Sequence, residues 1–222
     1  LLQTLPGMLA TIKQHKLFFF LYFIFLLITL FLQMNYSKQE LFLWVNGHHT
    51  PLADRFFYYY TDFGDGITFL VIAAICLFIR YKYSVYALLI YLTTSQVTQF
   101  FKRVVFSDEP RPKKFFEATG EQLHMLDGIQ VHSMMSFPSG HSTTAFAIAL
   151  FLTLTVKNKY WSPVFLFLAI LAGYSRLYVA QHFFADVVMG SVIGVFVGLI
   201  TYVLLERSAL ANKPWMNKKL FA

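Results

Sequence analysis

The stretch SFPSGHSTTAF, residues 136–146, stands at the mouth of one of the most apolar runs in the chain. Pro138 ends an extended segment, Ser139 suits a helix N-cap, Gly140 permits close backbone approach and His141 opens the helix. Free N–H groups and the helix dipole make such a start a site for anions. A plain membrane anchor needs none of these residues there. An ordinary capped helix with an interfacial histidine would show the same letters, so the flanking sequence has to decide.

Working outward, the 222 residues are 57% hydrophobic and 13% charged, which leaves too little polar surface for a soluble domain. The composition indicates an integral membrane protein, and the length suits one unit over residues 1–222. Cys76 is the lone cysteine, which excludes an intrachain disulfide and a cysteine metal cluster. A net charge of +7 suits nucleic acid or anionic lipid in principle. In a membrane protein the placement of charge matters more than its sum, and no nucleic-acid partner is expected.

A bilayer-crossing helix needs roughly 20 mostly apolar residues. Residues 17–33, 83–101, 141–156, 161–178 and 187–205 approach that, and 67–80 is counted as a shorter span that borrows from its flanks. The expected fold is therefore an all-α bundle of six transmembrane helices. It has an interfacial segment between helices 1 and 2 and a long outer-side loop between helices 3 and 4. The first span lacks a signal-peptide cleavage pattern and is read as retained. The short loops around Arg80 and Lys82, and around Lys157 and Lys159, are basic without acids, which places both termini inside. All the unusual polar residues then fall on the outer side.

A second constellation runs from Ser175 and Arg176 to His182 and Asp186. On a helix the last two, four apart, share a face, and a carboxylate there fixes one imidazole nitrogen and frees the other as nucleophile or base. Arg176 at a span end costs roughly 2.5–3.5 kcal/mol near hydrocarbon, which favours a polar cavity over snorkelling. A third piece is Lys102 with Arg111, the latter held between Pro110 and Pro112. Two histidines, an orienting carboxylate, several cations and a helix N-terminus suit phosphoryl chemistry. Ser139 and His141, two apart, do not face each other as an acyl-transfer pair would.

These residues resemble the type 2 phosphatidic acid phosphatase superfamily, which also contains vanadium haloperoxidases and soluble bacterial acid phosphatases. Its motifs are Lys-x6-Arg-Pro, Pro-Ser-Gly-His and Ser-Arg-x5-His-x3-Asp. The second and third are intact here, at 138–141 and 175–186, and the resemblance extends to Thr61-Asp62-Phe63-Gly64-Asp65-Gly66. The first departs: eight residues separate Lys102 from Arg111, and strict spacing falls on Val104. Either Lys102 still reaches the phosphate across a longer segment or Arg103 replaces it; Lys102 is favoured.

The resemblance implies a membrane-bound bacterial lipid phosphatase that needs no metal or other cofactor. His182 would be the nucleophile, forming a phosphohistidine, with Asp186 orienting it and His141 as general acid. Lys102, Arg111, Ser139, Gly140 and Arg176 would hold the phosphate oxygens. The candidate substrates are phosphatidic acid, phosphatidylglycerol phosphate, undecaprenyl diphosphate and a lipid A phosphate. The enzyme would sit in a bacterial inner membrane with its site towards the periplasm or exterior.

Lys113, Lys114, Phe115 and Phe116 read as interfacial anchors, with a second phosphate and an acyl chain as the alternative. Phosphotransfer to an acceptor other than water would use the same phosphohistidine. A transporter is disfavoured, because the ionisable groups cluster at helix ends and no repeat is present. His48, His49, His124 and His132 lack metal-ligand spacing and read as loop histidines.

Overall fold

The computed structural model describes residues 7–221, so residues 1–6 and 222 of the unit expected over the whole chain lie outside it. Among the described residues ten α-helices follow one another: α1 (Met8–Gln14), α2 (Lys16–Asn35), α3 (Lys38–Gly47), α4 (Pro51–Tyr60), α5 (Gly66–Leu77), α6 (Tyr81–Phe100), α7 (Pro112–Glu117), α8 (Gly140–Thr155), α9 (Ser162–Tyr178) and α10 (Phe184–Arg207). A 3-10 turn, Thr61–Gly64, joins α4 to α5, and a π turn, Phe101–Val105, extends α6.

The all-α expectation stands, but the six spans do not. Among the described residues only α2, of mean hydropathy 2.5, and α10, of mean hydropathy 2.4, are long and apolar enough to cross a membrane. A third span is reached only if α4 and α5, bent by 61° across the 3-10 turn, count as one. The physical reasons are length and polarity. At 1.5 Å per residue, the 12 residues of α5 reach roughly 18 Å and the 16 of α8 roughly 24 Å, short of a ~30 Å hydrocarbon core. The second half of α6 carries Thr93, Thr94, Ser95, Gln96, Thr98 and Gln99, and the 17-residue α9 has Ser175 and Arg176 in its last turn.

The apolar run of α8 has another cause: residues 142–151, 153 and 154 are buried, so protein surrounds this helix on nearly every side. One flank packs Phe146 and Leu150 with Phe18 and Tyr22 of α2, Leu166 of α9 and Leu199 of α10. The other packs Ile148 and Phe151 with Phe69 of α5 and Tyr86 and Ile90 of α6. The approach of α10 to α8 depends on missing side chains. A Cβ at Gly190 would fall 2.5 Å from the Ser139 carbonyl oxygen, and one at Gly194 would fall 2.4 Å from that of Thr143.

The expected interfacial segment is folded into capped helices. Ser37 and Glu40 form a capping box on α3, Thr50 caps α4 ahead of Pro51, and Asp65 accepts the Ile67 N–H at 2.8 Å to start α5. The start of α8, the end of α9, the π turn after α6 and the 3-10 turn before α5 thus meet at one end of the bundle.

Candidate active site

Ser139 caps α8 as its residue type suggests, its Oγ accepting the Ser142 N–H at 3.3 Å. Its own N–H donates to the Asp186 carbonyl at 3.0 Å, which ties the start of α8 to the start of α10. The Gly140 and His141 N–H groups precede the helix's own bonding and remain for an acceptor. His141 also lies 3.9 Å from a carboxylate oxygen of Asp65.

His182 and Asp186 pair, though not on one helix as expected. α10 begins at Phe184, so His182 sits in the turn before it. Its backbone N–H donates to the Arg176 carbonyl at 3.1 Å, which folds the turn back on α9. The His182 Nδ1 lies 3.3 Å from Asp186 Oδ2, and that oxygen also accepts from the Ser136 hydroxyl at 2.5 Å and the Phe183 N–H at 2.9 Å. Nε2 is the ring nitrogen left over. Burial, together with Arg111, Lys102 and Arg176, holds the His182 imidazole well below its ordinary pKa, so it is neutral at neutral pH.

Three cations converge on the same place. Arg111 is held by Nε to the Met134 carbonyl at 3.0 Å and by Nη1 to the Gln181 side-chain oxygen at 2.8 Å. Arg176 Nη1 donates to the Thr61 hydroxyl, while its Nε is buried with no partner among the described residues. Lys102 is 8% exposed, and burial with Arg111 nearby lowers its ammonium pKa to about 7. Arg111 is lowered as well, by burial. Uncompensated positive charge of this kind awaits an anion.

Lys102, Arg111, Gly140, His141, Arg176 and His182 line one cavity of about 410 Å³. Ser139 and Asp186 stand behind its wall. Arg103 is exposed and lines no part of it, so the geometry selects Lys102 of the two cations left open by the spacing. A π turn holds one residue more than an α turn, and Phe101–Val105 absorbs part of the longer Lys102–Arg111 separation. Lys113 and Lys114 do not line the cavity.

Several contributors were missed at the sequence level. Thr61 belongs to the stretch singled out without a role, Ser136 opens the quoted stretch two residues before Pro-Ser-Gly-His, and Gln181 lies inside the third motif. His132, from the loop between α7 and α8, also lines the cavity, its pKa lowered by burial and by Arg111 and Lys102. Thr61, Ser136 and Gln181 each touch a site residue through a side chain whose direction no spacing predicts.

Residues 83–209 match the PAP2 superfamily. The chain is 28% identical over 174 residues to the lipid A 4'-phosphatase of Porphyromonas gingivalis, covering 74% of this chain and 71% of that one. It is 29% identical over 176 residues to the undecaprenyl-diphosphatase BcrC of Bacillus subtilis, covering 76% of this chain and 83% of that one. Among solved structures, Aquifex aeolicus LpxE superposes with a TM-score of 0.65 at 27% identity, over 74% of this chain and 93% of that one.

Proposed function

The chain belongs to the PAP2 superfamily, in its membrane-bound bacterial lipid phosphatase branch, and from that premise we propose the reaction its cavity performs. It is a hydrolase of phosphate esters or diphosphates. The substrate is a lipid phosphate held at the membrane boundary, with the site facing the periplasm or exterior of a bacterial inner membrane. No metal takes part in the chemistry at phosphorus.

His182 Nε2 attacks phosphorus while the bond to the lipid oxygen breaks; His141, kept neutral in the empty site by burial and the neighbouring cations, takes up a proton once the phosphate's charge offsets them and supplies it to that oxygen. His141 then takes a proton from water as the oxygen of that water attacks phosphorus. The P–N bond breaks, inorganic phosphate leaves and His182 is restored. Lys102, Arg111 and Arg176, with the N–H groups at the start of α8, neutralise the phosphate oxygens. Ser139 acts through the cap it places on that helix. Asp186 holds the His182 tautomer that presents Nε2. The observation that carries the reading is His182, fixed at Nδ1 by Asp186, lining one cavity with His141 and three cations.

The lipid A 4'-phosphatase likeness favours a phosphorylated glycolipid of that kind as substrate, and the BcrC likeness supports undecaprenyl diphosphate as a second reading. Phosphate release from lipid A, undecaprenyl diphosphate, phosphatidylglycerol phosphate and phosphatidic acid, each offered to the purified protein, separates them. His182→Ala is expected to lower release at least roughly 10⁴-fold while the protein stays folded, and EDTA to leave turnover intact. Substantial turnover by His182→Ala removes the nucleophile assignment, and loss of turnover in EDTA removes the metal-free mechanism.

A further inference from the structure

Outside the phosphate cavity, the fold gathers three metal-ligating side chains that lie far apart in sequence. His49 comes from the turn between α3 and α4, Asp54 from the first turn of α4, and His124 from the loop between α7 and α8. One ligand atom from each lies within 4.8 Å of the other two. The His49 and His124 rings stack at 3.7 Å with planes 3° apart, and His124 Nε2 meets Asp54 Oδ1 at 2.8 Å. His48 and His132, which share the sequence neighbourhood, take no part in the cluster.

We propose that His49, Asp54 and His124 form a structural site for a divalent ion of the zinc class, separate from the reaction centre. Two imidazoles and one carboxylate are a donor set that such an ion accepts, with water as the fourth ligand. The cluster also has the outer support that metal ligands require. Tyr178 donates its hydroxyl to Asp54 Oδ1 at 2.5 Å. The Asn46 side chain accepts the His124 N–H at 2.9 Å and donates to the His124 carbonyl at 2.8 Å, which fixes the backbone of that ligand. Two of the three ligands are thus side by side before an ion arrives, and binding would replace the His124–Asp54 hydrogen bond, the two atoms parting slightly from 2.8 Å. In a tetrahedral site of zinc–ligand bonds near 2.0–2.1 Å, the ligand atoms stand about 3.3 Å apart. His49 is exposed on its turn and closes the remaining gap by rotating its ring.

The consequence reaches the phosphate cavity through the loop that carries His124. That loop also supplies Gly128, Gln130 and His132 to the cavity lining. An ion bridging His124 to α4 would fasten this roof to the bundle without touching phosphorus. Loss of the ion would lower the unfolding midpoint and leave turnover by His182 and His141 in place.

The test uses the full chain without an oligohistidine tag, purified in detergent and stripped of metal. Calorimetric titration with Zn²⁺ is expected to show one ion per chain, and Co²⁺ to give the visible absorption of a tetrahedral site. His49→Ala and, separately, His124→Gln are expected to weaken binding at least 10-fold. His48→Ala, which alters the neighbouring exposed histidine, should bind as the unaltered protein does. Saturating zinc should raise the unfolding midpoint of the unaltered protein by several degrees and that of His49→Ala hardly at all. Absence of one-to-one binding by the unaltered protein, or equal affinity in His49→Ala, would overturn the proposal.

Discussion

Ser136 donates its hydroxyl proton to Oδ2 of Asp186 at 2.5 Å, the same oxygen that faces His182 Nδ1 at 3.3 Å. The carboxylate is therefore held from three sides, since the Phe183 N–H reaches it too. Its position is set by a loop residue 50 positions earlier as much as by its own helix.

Ser136→Ala removes one of these holds and leaves the fold's apolar contacts intact. A hydrogen bond to a charged group is worth roughly 1.5–3 kcal/mol, so kcat should fall about 10–100-fold with KM little changed. Asp186→Asn, which disturbs the tautomer itself, should cost more, on the order of 10³-fold. Steady-state rates on one lipid phosphate check both, and a Ser136→Ala enzyme with unaltered kcat would show that the contact does not position Asp186.

Lys102 governs the expected pH dependence. Its ammonium pKa is lowered to about 7 by burial first, then by Arg111 and Arg176, with Asp186 opposing. As pH rises through 7 the free enzyme loses a charge that the phosphate needs, so kcat/KM should decline on the alkaline side. Lys102→Arg keeps its charge at all working pH, and the alkaline limb should vanish. For stability the sign is opposite: from about 7 to the ordinary lysine pKa the unfolded chain binds a proton that the folded one does not, so stability from this group rises with pH there.

Thr61→Val leaves the Arg176 guanidinium without the hydroxyl that now holds its Nη1. Among the described residues its Nε already lacks an acceptor. The arginine should lose its fixed direction, raising KM for the lipid phosphate roughly 10-fold, with a fall in the unfolding midpoint. An unaltered KM would mean that Arg176 is held by the phosphate alone.

Gly194→Ala tests the helix contact beneath the site. The added carbon would lie 2.4 Å from the Thr143 carbonyl oxygen and 3.0 Å from the Ala147 nitrogen, both backbone atoms that cannot swing away. The pair α8 and α10 must separate, at a cost of about 1–3 kcal/mol. Thermal unfolding in detergent should show a lower midpoint, and activity should fall because His141 and Asp186 ride on those two helices.

Much of the site was legible because its chemistry is written in short motifs. Pro-Ser-Gly-His announced both a helix cap and an anion-ready N-terminus, and the cap is made by Ser139 Oγ. His182 and Asp186 were paired correctly for a partly wrong reason, since His182 lies in the turn before α10. The six-span reading failed on α8 in an instructive way. It is apolar as a lipid-facing helix is, but that character reflects burial among five other helices. Hydropathy measures preference against water and does not distinguish lipid from protein as the alternative.

From the sequence alone came the all-α class, the membrane composition, the helix start at Ser139 and the residues proposed to handle a phosphate, because these depend on local residue type and spacing. Only the tertiary structure decided that Lys102 and not Arg103 faces the cavity, that Thr61, Gln181 and Ser136 hold Arg176, Arg111 and Asp186, and that His49 and His124 stack beside Asp54. Those outcomes depend on the directions of side chains brought together from distant segments. Packing sets such directions, and no short-range pattern records them.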